Sequence, residues 1–71
     1  MKITGTVVHE PLEGGFWGLV GDDGEKYHPV DPMPDDVLKN GCRVEAEVEP
    51  VQVFSLTMWG RNVRVHDIKK L

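Results

Sequence analysis

Residues 2–8 (KITGTVV) alternate, with Ile3, Gly5 and Val7 on one side and Thr4, Thr6 and Val8 on the other. That period of two, carried by β-branched residues and closed by Pro11, predicts a first strand. Residues 10–15 read as a loop. A second strand is predicted over 16–20, ended by Gly21-Asp22-Asp23-Gly24, because glycine and aspartate tolerate the positive φ of a tight hairpin. Residues 25–30 form a third strand, kept short by Pro29, which cannot donate to a ladder. The cleanest alternation is 43–49, with Val44, Ala46 and Val48 inward and Arg43, Glu45, Glu47 and Glu49 outward. Pro50 is expected to break or bulge it. Residues 51–59 (VQVFSLTMW) are apolar on both faces, which reads as a strand covered on both sides or twisted across a barrel corner. Gly60-Arg61-Asn62 then turns the chain into a last strand over 63–68. There Val63 and Val65 lie on one face and Asn62, Arg64 and His66 on the other.

One helical candidate interrupts this β pattern, at 31–41 (DPMPDDVLKNG). Pro34 suits a first helical position, Asp35 and Asp36 complement the helix dipole, and Asn40-Gly41 stops it. Only a turn to a turn and a half fits, short enough to be 3₁₀. Three strands, one short helix, then two or three strands predict an all-β chain, a small five- to six-stranded OB-fold-like barrel with the helix between strands 3 and 4. The place of the helix disfavours an SH3-like barrel. The glycine-rich stretch 14–24 holds five of the eight glycines. It marks either a bent barrel corner or a strand that another group approaches closely.

Composition narrows the class. Seventy-one residues allow a single domain, residues 1–71, of the size that buries only about 60% of its unfolded surface. No apolar run approaches the roughly 20 residues of a membrane span, and no signal peptide is expected. The lone cysteine, Cys42, fits a reducing compartment, so the expected location is cytoplasmic. Net charge is −4, unevenly spread: eleven acids between Glu10 and Glu49 meet three cations, whereas Arg61, Arg64, Lys69 and Lys70 near the end meet only Asp67. An acidic domain repels phosphate backbones, and only the basic end offsets this.

Several short motifs, in order, are similar to the cold-shock and S1-like branch of OB-folds. Gly5-Thr6-Val7 matches its opening GTV. Residues Gly15-Phe16-Trp17-Gly18-Leu19-Val20, with Asp22-Asp23-Gly24 after them, resemble its GFGFI strand and DG turn. Leu38-Lys39-Asn40-Gly41, followed by Val44-Glu45-Ala46-Glu47-Val48-Glu49, resembles its L-K-x-G-x-x-V-x-F-x-V segment, and Asn62-Val63 its closing A-x-N-V. The resemblance implies the barrel and, with it, binding of single-stranded RNA or DNA across strands two and three. Two departures concern that activity. Gly14 stands where the family has a lysine, and Lys26-Tyr27-His28-Pro29 stands for its V-F-V-H. Only one ring of the second strand can face outward, since Phe16 pairs with Gly18 and Trp17 with Leu19; which of the two does is left open. Single-strand binding rests on stacking, about 1–3 kcal/mol per base, with a positive groove.

The candidate nucleic-acid contacts are Trp17, Tyr27, His28 and Arg64, with Phe54 or Trp59 as a further platform. The alternative is a protein-interaction or self-associating barrel, using the row Glu45, Glu47, Glu49 and the apolar excess of 51–59. His9, His28, His66 and Cys42 have no zinc-type spacing, and no metal or cofactor is expected. No nucleophile, base and orienter stand together, so the chain reads as a non-catalytic binding module.

Overall fold

A computed structural model describes residues 1–52 and 59–71. Five strands, β1 (Lys2–Glu10), β2 (Phe16–Gly21), β3 (Lys26–Pro29), β4 (Arg43–Pro50) and β5 (Arg61–Lys70), close into a barrel in the order β1-β2-β3-β5-β4. All pairings are antiparallel except β3 with β5. The fold is thus all-β and OB-fold-like, as the alternation predicts. No helix among the described residues is long and apolar enough to cross a membrane.

The inward positions are those the pattern gives. Ile3 and Val7 of β1, Leu19 of β2 and Val44, Ala46 and Val48 of β4 are buried, joined by Tyr27 and Val63. Met33 and Val37, from the segment between β3 and β4, complete this core. That segment holds no α-helix, only a 3₁₀ turn at Asp35–Val37. Pro32 and Pro34 leave too few consecutive residues for a nucleus, which needs several fixed residues before hydrogen bonds repay them.

Other boundaries move for stated reasons. β1 continues to Glu10 because His9 and Glu10 pair with Trp17 and Phe16. Residues 12–14 then form a second 3₁₀ turn. Pro29 stays in β3 beside Val63, and the next amide, Val30 N–H, donates to the Val63 carbonyl at 2.9 Å. The expected strand over 51–59 is not seen at its described ends: Val51 and Gln52 lie outside any strand and Trp59-Gly60 form a bend. Its centre, 53–58, lies outside the described residues.

Pro50 is the last residue of β4: the strand ends there, with Pro50 still paired to Val63 and without a bulge at that position. The irregularity is instead opposite Glu47 and Val48, where Glu47 faces Asp67, Val48 faces Val65, and His66 is the extra residue. Strict alternation from Val63 and Val65 would send Asp67 inward. The bulge switches the phase, so that Ile68 packs against the core in its place.

Three contacts hold the barrel tightly at the β2–β3 hairpin. Gly5 lies between Gly21 of β2 and Val44 of β4. A Cβ at Gly5 would stand 2.9 Å from the Gly21 Cα and would collide with the Val20 carbonyl, so no side chain fits. At the tip, the Asp23 carboxylate accepts from Glu25 N–H at 2.9 Å and from the Tyr27 hydroxyl at 3.4 Å. Burial, then the neighbouring Asp23, raises the Tyr27 pKa. Asp22 receives both Arg43 nitrogens, at 2.6 and 2.7 Å, tying the hairpin to the start of β4. The Arg43 hydrogen bond holds the Asp22 carboxyl below its ordinary range.

A depressed carboxylate pKa contributes stability above the unfolded value, about 3.9 for aspartate, and loses it as pH falls through the folded value. Asp22→Asn is therefore expected to lower the urea midpoint at pH 7. The gap from the parent should shrink as pH drops below about 4 and vanish once Asp22 is protonated in both states. A gap independent of pH would assign the effect to something other than this ion pair.

Candidate functional site

Leu19, fully buried, fixes the phase of β2. Trp17 and Gly21 share its inward side, while Phe16, Gly18 and Val20 face out. Leu19 pairs with Tyr27, so Tyr27 points inward and Lys26 and His28 point outward. Of the four expected contacts, Tyr27 is thus corrected: at 2% exposure it is a core residue, not a stacking platform. Trp17 is half-buried, packed against the core at the end of the barrel, with the His9 ring at 4.8 Å. Only His28 sits on the outer face of β2 and β3 as expected.

That face carries a cluster the sequence reading did not assemble. The Phe16 ring lies 4.6 Å from His28 and meets Trp59 edge-on at 5.4 Å. Trp59 is 8% exposed although it is no part of the barrel core. Its indole lies on Gly18, where any Cβ would enter the ring. The Lys26 ammonium stands 5.4 Å from the Trp59 ring centroid, within cation–π range. Gly60, at φ 74°, brings the same segment so near β3 that a Cβ there would be 2.7 Å from the Lys26 carbonyl. Two glycines, one on each side of the contact, thus seat Trp59 over the strand. A glycine at an outward strand position between Phe16 and Val20 was the signal available in the sequence.

Beside this cluster opens a cleft of about 310 Å³. Phe16, Trp17 and His28 give it rings, Pro29, Val30, Pro32, Met33 and Leu38 apolar surface, and Asp31 and Asp35 carboxylates. Among the described residues, no lysine or arginine lines it. The His28 Nδ1 atom is buried without a hydrogen-bond partner among the described residues.

Arg64, expected to contact phosphate, faces outward but is engaged: its Nε lies 3.3 Å from the Asp31 carboxylate. The acidic row of β4 is likewise matched by neighbours. Glu45 lies between Lys2 at 3.8 Å and Lys69 at 3.3 Å, and Glu49 meets His66 at 2.8 Å. Such exposed pairs add little stability, about 0–1 kcal/mol each. Their consequence is that the Glu45 carboxylate stands beside cations of both neighbouring strands. Among the described residues, no group of three histidine, cysteine or acidic side chains is placed to hold a metal ion. Cys42 is a free, half-buried thiol. No protein-family model, curated protein or solved structure matches the chain.

The contact between Gly18 and Trp59 makes a measurable prediction. Gly18→Ala should displace the indole, shifting Trp59 emission to longer wavelength in a Trp17→Phe background, and cost about 1–3 kcal/mol. In a Trp59→Ala background the same change should cost little, giving a coupling of about 1 kcal/mol or more. Additive effects would mean that the two residues do not share this space.

Proposed function

We propose that the chain is a non-catalytic binding module that engages a protein ligand through the cleft beside β2 and β3. One observation carries this reading: the cleft joins aromatic and proline surface to two acidic residues and, among the described residues, no lysine or arginine. Apolar lining with a few fixed polar groups is the usual make-up of a binding site. A phosphate chain would meet Asp31 and Asp35 there, in a protein of net charge −4.

The second reading, weak binding of single-stranded RNA or DNA, draws on a different observation. Phe16, His28 and Trp59 form a ring cluster with Lys26 on the outer face of β2 and β3, and the cold-shock and S1-like resemblance favours the same face. Against it, Trp59 already covers the strand surface where a base would stack, and Arg64 is spent on Asp31. A self-associating barrel is the remaining form of a protein ligand, and sedimentation distinguishes it.

The test is a selection of displayed peptides on the immobilised chain, alongside titration of a labelled oligothymidylate at low salt. Peptides whose binding is lost in Phe16→Ala, with the fold checked by circular dichroism, are the expected result. Oligothymidylate should leave anisotropy unchanged at protein concentrations near ~100 μM, the weak end of non-specific binding. Oligothymidylate binding with no peptide recovered would replace this reading by the second.

A further inference from the structure

We propose that the occupant of the cleft is an extended, proline-containing peptide segment that sets an arginine or lysine against Asp35. The inference rests on the protein-ligand reading above and names the chemistry of that ligand.

Three physical arguments select it. The first is backbone geometry. The barrel closes in the order β1-β2-β3-β5-β4, but β2 and β3 pair only at Leu19–Tyr27 and Val20–Lys26, and the cleft lies beside the stretch past that ladder, at Phe16, Trp17, His28 and Pro29. Pro29 at the end of β3, and Pro32 and Pro34 in the segment that follows it, have no N–H to give a ladder. On that side of the cleft recognition therefore rests on side-chain surface, with few main-chain donors to offer.

The second argument is size and surface. About 310 Å³ stands at the small end of ligand sites, which suits a few residues of extended chain and not several turns of amphipathic helix. Rings beside a shallow apolar surface are the surroundings in which a polyproline II segment docks, since that conformation is already ordered before binding. Phe16, Trp17 and His28 provide the rings here.

Charge complementarity is the third. Asp31 and Asp35 are the acidic residues of the lining, and among the described residues no lysine or arginine joins them there. Asp31 is held by Arg64, whereas Asp35 has no cation within ion-pair distance among the described residues. A ligand cation would complete Asp35 with a charge-assisted hydrogen bond. It would also compete with Arg64 for Asp31. The Arg64–Asp31 pair, both partners more than half exposed, is thus a brake on cation binding that the protein supplies itself.

The experiment uses three dye-labelled, capped nonapeptides on the full chain: repeats of Pro-Pro-Arg, of Pro-Pro-Gln and of Gly-Gly-Arg. They separate ring docking from charge. The Pro-Pro-Arg peptide should bind tightest, Pro-Pro-Gln about threefold to tenfold weaker, and Gly-Gly-Arg weakest. Asp35→Asn should remove the advantage of Pro-Pro-Arg over Pro-Pro-Gln and leave Pro-Pro-Gln binding unchanged. Arg64→Gln should strengthen Pro-Pro-Arg binding about twofold or more, by releasing Asp31. A merely structural role for Arg64 would not produce that gain.

Equal binding of Gly-Gly-Arg and Pro-Pro-Arg would overturn the proposal, as general attraction to an acidic protein explains it. So would an Asp35→Asn variant that keeps the full preference for arginine. If selected peptides need Phe16 but carry neither proline nor a basic residue, this inference fails and the protein-ligand reading stands. If no peptide of any kind depends on the cleft, the reading itself fails.

Discussion

The missing side chain at Gly18 decides where the Trp59 indole can lie. A hydrogen at that position leaves a flat patch on the outer face of β2, and the Trp59 indole fills it. Everything on that face follows. Phe16 can meet the indole edge-on, Lys26 can stand over it, and Gly60 can pass close to the β3 carbonyl. In a chain this small, an aromatic ring buried outside the barrel extends the apolar area removed from water beyond what the ten inward residues supply. The face that could have been an open stacking surface becomes a second, shallow core.

That arrangement separates two tasks that the sequence left joined. Phe16 takes part both in the packing of Trp59 and in the lining of the neighbouring cleft. Trp17, one residue on, points to the other side of the sheet and yet reaches the same cleft from the barrel end. Adjacent strand residues usually serve opposite faces. Here the end of the barrel, with no further strand residue beyond it, lets both contribute to one surface.

Local alternation explains why so much of the barrel was legible. Ile3, Gly5, Val7 and Val44, Ala46, Val48 each follow one strand whose partner strands the same pattern selects, and their faces come out as read. Tyr27 did not, because its face depends on register across the hairpin: a shift of one residue at Gly21–Gly24 inverts it. The resemblance to a family with an outward aromatic near that position pulled the reading the same way. Trp59 is a candidate platform in the sequence, but its seat on Gly18 is hidden there for another reason. Its contact with Gly18 joins distant parts of the chain, and no periodicity reports on such a pair. The ion pairs of Arg64 and Glu45 were equally hidden, since each depends on which strands become neighbours.

His66, the surplus residue of β5, has a role that composition does not reveal. Val63, Val65 and Ile68 would still face inward in a strand lacking it, because Val48 pairs with Val65 and Glu47 with Asp67 in either case. The core does not need His66; curvature does. β5 runs beside β3 only through Val63 and beside β4 from there onward, and the bulge lies just past that transfer. An extra residue bends and twists a strand at the point where it is inserted. A residue that contributes nothing to the core thus marks the bend of β5, and it lines a second groove, with Pro32, Met33 and Pro34 on the facing side.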